Sequence, residues 1–382
     1  MSTQLSQLSY GIRQYGIFVI FGLVGVVLIY NLGRYSYEAC CTKKASPSPI
    51  VNVTFGVLEN LQFAQKPTLS SGVTFNLETV DGQIPKEATK TAYVYPIPQK
   101  GAGLDYAQRA KAAADNAGLE GAQQEQNSDT TFLFINPADQ NQRMTFHYVY
   151  DNIEYKYENL TSYVSLEIGS SPTAKDAENL AKTFINTVRP DILRSNRKIL
   201  DTMMIRPSYT YVQPASGEQQ EVSTQPQANI TILNMTRPPL NGTPLISSST
   251  EDSLIKFAYT GITSSGSSNP NQKQYRLLYG KIIFWPIDEE PGKLPIQDQG
   301  IYPLKPTLQA WQELQAGKGY ILNAVNQGDN FNVRKVYMAY FEPEIPAKYI
   351  QPVWVFEGDK VDDSKFLFRA IVPAASYSSP VQ

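Results

Sequence analysis

Few side chains in this chain could make or break bonds. Its one histidine, His147, lies in MTFHYVY, a strand-like alternation, where a lone histidine is more often packed or surface-exposed than catalytic. The two cysteines, Cys40 and Cys41, are adjacent, so no disulfide framework can staple the rest of the chain. Beside an apolar stretch such thiols are either acylated or left unmodified. One histidine and two neighbouring cysteines leave few ligands for zinc or copper. Asp288, Glu289 and Glu290 form one acidic cluster, and Asp359, Asp362 and Asp363 another. Both offer oxygen ligands of the kind Ca²⁺ takes, but neither has the EF-hand spacing, and both read as solvated turns. No Gly-x-Ser-x-Gly, phosphate loop or Cys/His zinc pattern occurs. The sequence thus points to no catalytic residue, no cofactor and no metal.

Two other residue classes recur. Asn52, Asn159, Asn229, Asn234 and Asn241 each open an Asn-x-Ser/Thr triplet, an acceptor for glycans in a eukaryotic secretory protein. Aromatics are the second class, with 24 tyrosines in the chain. Tyr337 and Tyr340 should lie opposite Trp354 and Phe356 across a hairpin, and Trp311 lies on a helix nearby. Such a set is either a packed sheet face or a partner-binding face or edge. These five are the candidate interaction or structural residues.

The elements that must position them follow from periodicity. Leu308, Trp311 and Leu314 fall at i, i+3 and i+6, which predicts a short helix with all three facing a sheet. Gly317 and Gly319 should stop it. Strand-like runs follow at Val333–Phe341, Tyr349–Phe356 and Phe366–Val372, β-branched and aromatic and separated by turn residues. A helix followed by strands recurs near Leu104, Thr173 and Thr307. The predicted class is therefore α+β: repeated modules of one helix packed on an antiparallel meander, after an N-terminal transmembrane helix.

That last element rests on residues 15–32, YGIFVIFGLVGVVLIYNL, which carry no charge. A helix of that length spans about 27 Å, just enough for a bilayer core of about 30 Å. Residues 1–14 read as a short polar tail, 33–50 as a Pro/Ser linker, 51–150 and 151–265 as two α+β modules, and 266–382 as a third. Residues 120–130, EGAQQEQNSDT, read as a polar loop. The expected protein is a single-pass membrane protein with an extracytoplasmic body. A net charge of −2, from 33 basic and 35 acidic side chains, gives no field that would gather nucleic acid.

The C-terminal third, YPLKPTLQAWQELQAGKGYI, VYMAYFEP and YIQPVWVFEGD, resembles the end of YycH/YycI-type regulators of two-component systems and, more loosely, PepSY-like modules. The full layout is similar to an uncharacterised family of single-pass anchored proteins of candidate-phylum bacteria, which share the LETVDGQIP-like strand and the WPIDEE turn. The resemblance implies α+β modules that touch a protein partner, and it carries no catalytic residues. Two functions follow as expectations. The first is a noncatalytic, membrane-anchored, extracytoplasmic regulatory or protein-interaction module, its partners being the membrane and an unidentified protein, with no nucleic acid. The alternative is a cell-envelope ligand-binding protein or enzyme with an unrecognised site.

Overall fold

The computed structural model describes residues 50–377 except 87–88, 100–104, 158–167, 196–198, 214–217, 249–252, 263–274, 289–299 and 324. Val51–Gln382 forms one compact unit, and its strands make two sheets. In chain order the elements begin with β1 (Thr68–Leu69), β2 (Thr74–Leu77), β3 (Thr91–Pro96), α1 (Tyr106–Asn116), β4 (Gln123–Ser128), β5 (Thr131–Ile135), β6 (Gln142–His147), β7 (Asn152–Tyr157) and β8 (Ile168–Gly169). They continue with α2 (Ala174–Val188), α3 (Pro190–Ser195), α4 (Ile199–Thr202), β9 (Met204–Val212), β10 (Gln219–Val222), β11 (Ile230–Thr236), β12 (Leu245–Ile246), β13 (Ile255–Ile262) and β14 (Tyr275–Ile282). The last are β15 (Gly300–Pro303), α5 (Thr307–Gln315), β16 (Tyr320–Ile321), β17 (Asn330–Phe341), β18 (Tyr349–Lys360) and β19 (Asp363–Pro373).

The α+β expectation is corrected by this inventory: the architecture is mainly β. One sheet runs β1-β16-β19-β18-β17-β12, with β2 alongside β17 and β3 joining β18 to β15. The other runs β10-β9-β11-β13-β14-β7-β6-β5-β4, with β8 on β13. Nearly all pairings are antiparallel; β2 and β12 pair with β17 in parallel. No helix among the described residues is long and apolar enough to cross a membrane. The expectations of a single-pass membrane protein and of an extracytoplasmic location for its body are corrected to that statement. The stretch 15–32, like Cys40 and Cys41, lies outside the described residues.

The helices form where local sequence favours them and stay because a sheet face covers their apolar stripe. Thr173 caps α2, its hydroxyl accepting the Asp176 N–H at 3.1 Å. Ala177, Ala181, Ile185 and Val188 then recur on one face and are buried. With Ala110, Ala113 and Ala114 of α1 they cover Phe132, Phe134, Met144 and Phe257 of the second sheet. In α5 the buried stripe is Thr307, Ala310, Trp311 and Leu314, spaced i, i+3, i+4 and i+7. Leu308 is 56% exposed, so the expectation that it faces the sheet is corrected. It sits one residue off the stripe, rotated about 100° from Thr307.

The polar loop expected at 120–130 is also corrected. Gln123–Ser128 pairs antiparallel with β5 as the edge strand β4. An edge strand bonded on one side need not show apolar alternation, and polar residues there discourage pairing with another chain.

The two sheets meet at a buried hub. Trp285, fully buried after β14, donates its indole N–H to the Pro343 carbonyl at 2.8 Å. Arg237, just beyond β11, reaches Glu342 at 3.2 Å and the Trp285 carbonyl at 2.6 Å. Its guanidinium also lies 4.2 Å from the centre of the Phe284 ring. Tyr95, Tyr150, Leu245 and Tyr340 pack around the same tryptophan.

Candidate functional site

The five aromatics singled out in the sequence do not converge on one surface. Trp311, Trp354 and Phe356 belong to the core between α5 and the first sheet. The Trp354 indole donates to the Lys305 carbonyl at 3.0 Å. Tyr340 is buried in the hub, edge-on to Tyr95 at 5.1 Å. Only Tyr337 is half-buried on the opposite face, and its hydroxyl donates to Glu357 Oε1 at 2.9 Å. His147 is half-buried 5.4 Å from the Tyr150 ring, with Nδ1 unpartnered; burial pushes its imidazole pKa down. Among the described residues no group of three His, Cys, Asp or Glu side chains could hold a metal. Glu289 and Glu290 lie outside them. Asn159 does too, while Asn229 is buried with its amide bonded to the Val212 N–H and carbonyl at 2.8 and 2.7 Å.

Glu357, which Tyr337 reaches, lines a cleft of about 360 Å³ on the face of the first sheet away from α5. Its floor and walls come from β17, β18 and β19, and a break in strand register shapes it. Val333 lies opposite Gly358 and Lys335 opposite Glu357, so Arg334 is an extra residue, a β-bulge. Bulges bend a strand and re-aim side chains. Here the bulge sends Arg334 to Asp359 and, at 3.0 Å, to Glu78. Gly358 makes the close approach possible, because a Cβ there would overlap the Asn332 carbonyl oxygen.

Ion pairs fix the remaining walls. Arg369 binds Glu357 through Nε and Nη2, both at 2.8 Å to the oxygen that Tyr337 also reaches. Arg334 holds both oxygens of Asp359, its Nη2 at 3.1 Å from Oδ1. Asn323 accepts the Arg369 N–H at 2.8 Å, ending the ladder between β16 and β19. Leu367 is 69% exposed on the rim and supplies apolar surface. Lys335 is exposed, and its ammonium has no hydrogen bond or ion pair among the described residues.

The sequence held signals for this site that periodicity did not use. In VRKVY two adjacent charges interrupt a strand, and in FEGDK a glycine sits inside one; both mark a bulge. Asp359 was visible only as part of an acidic run, whereas in the structure it is half of an arginine pair.

Hydrogen bonding to Arg334 holds the Asp359 carboxyl below the usual carboxylate range. A folded pKa lower than the unfolded one stabilises the fold above the unfolded value of about 3.9, and this is lost as pH falls through the folded value. Asp359→Asn should therefore lower the urea midpoint at pH 7, and the loss should shrink as the pH falls toward 2. Equal losses at both pH values would mean that the pair contributes nothing through its charge.

No family model matches the chain, and no curated protein matches it. A crystal structure of an uncharacterised protein from Eubacterium rectale is similar to 82% of this chain and covers 91% of its own, with 12% identity and a TM-score of 0.35. At that distance it carries no argument about fold or function.

Proposed function

We propose that this protein is a noncatalytic interaction module that holds a segment of a partner protein in the cleft across β17, β18 and β19. The observation that carries the reading is the prearranged wall. Two arginine–carboxylate pairs, locked by a bulge and by Tyr337, stand beside an exposed leucine. Polar groups fixed before binding spare the entropy of ordering them, and an apolar contact beside them adds affinity. The carboxylates are arranged as structural counter-ions. Asp359, an anion well below neutral pH, is a poor general base, since an efficient one titrates near the working pH. The resemblance of the C-terminal third to YycH/YycI-type regulators, which touch a partner protein, supports the same reading.

The test is selection of phage-displayed random peptides on the full chain, with Leu367→Arg as the cleft-blocked control. Clones enriched on the wild type should lose at least about tenfold in affinity for the variant, the change expected when a rim apolar contact becomes an unpaired charge. Enriched clones indifferent to Leu367→Arg, or no enriched clones, would reject the cleft as the binding site.

A further inference from the structure

A second cleft, of about 430 Å³, adjoins the first. Residues 63–68, Ser248, Glu344 and the end of β16 line it, and Asn323 lines both. Carboxylates and cations are distributed unevenly along the pair. Each carboxylate on the walls is already engaged. Glu357 is held by Arg369 and Tyr337, Asp359 by Arg334, and Glu344 by Lys281 at 3.2 Å and the Ser248 hydroxyl at 2.7 Å. Lys335 in the first cleft and Lys66 in the second are exposed, and neither ammonium has a partner among the described residues. At the junction the Asn323 oxygen is used by Arg369, while its NH₂ donates to no described group.

We propose that the two clefts are one groove and that it takes an extended, acidic segment of a partner protein. One carboxylate of that segment pairs with Lys335, a second with Lys66, and a backbone carbonyl between them accepts from the Asn323 amide. This rests on the interaction reading above and adds the chemistry of the ligand and its length. An extended chain rises about 3.3 Å per residue and turns alternate side chains to one face, so acidic residues separated by spacers can reach both lysines. A nucleic acid fits less well. Its phosphates would pass Glu357, Asp359 and Glu344, and two free lysines neutralise little of a backbone that carries a charge at every step.

The peptides enriched from the random library test this directly. They should carry at least two acidic residues, and their binding to the full chain should fall with salt. Lys335→Glu and Lys66→Glu should each weaken them by about tenfold or more, because a like charge replaces the partner. Both lysines are exposed, so unchanged melting midpoints should accompany the loss. Acidic peptides sensitive to Lys335→Glu but not to Lys66→Glu would overturn the joined groove and leave the interaction reading standing. Neutral or basic peptides at the cleft would overturn the acidic ligand. A labelled oligothymidylate that binds with the same lysine dependence, in place of acidic peptides, would overturn both parts in favour of nucleic acid. Failure to enrich any cleft-dependent peptide would remove the interaction reading itself.

Discussion

Trp311→Ala should unfold the half of the protein built on the first sheet, or sharply lower its denaturation midpoint. The indole is 7% exposed and lies 5.8 Å from the Phe356 ring and 6.4 Å from Phe75, in the core that also holds Leu314, Phe331 and Phe368. Truncating a buried tryptophan removes its transfer energy and leaves a cavity, at about 3–5 kcal/mol. Typical domains are stable by only about 5–15 kcal/mol. Thr307, Ala310 and Leu314 depend on the same contact to hold α5 against the sheet, so the loss should spread along the helix. Trp311→Phe, which keeps an aromatic in the cavity, should recover most of the midpoint. A chemical denaturation curve of each variant decides the matter. An unchanged midpoint for Trp311→Ala would show that the indole does not hold the core.

Glu342→Ala should be comparably damaging for a different reason. Glu342 and Arg237 are 5% and 4% exposed, at the hub where the two sheets meet. Removing the carboxylate leaves a buried guanidinium without its counter-ion, and breaking one side of such a pair costs about 3–5 kcal/mol. The attraction itself is not the main source of that figure; the desolvated cation is. Replacing both partners with apolar residues, Arg237→Met with Glu342→Leu, should therefore be much milder than Glu342→Ala alone. The midpoints of wild type, Arg237→Met, Glu342→Leu and the double variant form the cycle that gives the coupling. A double variant as unstable as the single would show that the hub needs the hydrogen bond from Arg237 to the Trp285 carbonyl more than it needs the charge pair.

Gly358 shows how the cleft could be read in part from sequence and in part not. A glycine inside a strand signals a bulge or a close approach. Which backbone approaches it, and that Arg334 is thereby turned toward Asp359, depends on the register of β17 against β18, which residue type alone does not set. The tyrosine and tryptophan surplus illustrates the converse. Residue type allowed both burial and binding, and only the packing of α5 and the hub decided that Trp311, Tyr340, Trp354 and Phe356 are interior.

Local sequence alone determined the elements whose information is local. The helix beginning near Thr173, the helix around Trp311 with its glycine stop, and the β-branched runs of β17, β18 and β19 depend on neighbours within a few residues. Local pattern failed for β4, whose polar residues become a strand only because β5 offers a hydrogen-bonding edge. It failed for Leu308, because which side of a helix is covered depends on what lies against it. The tertiary structure alone decided that β2 and β3, from the beginning of the body, pair with β17, β18 and β15 near its end. It alone decided that Arg237 and Glu342 meet, and that Asn323, Lys66 and Lys335 border one groove. Apart from Asn323 and Lys335, these contacts join residues 105 or more apart in the chain, so no short window contains both partners. They are selected by the burial and hydrogen bonding of the whole, which periodicity within one segment does not encode.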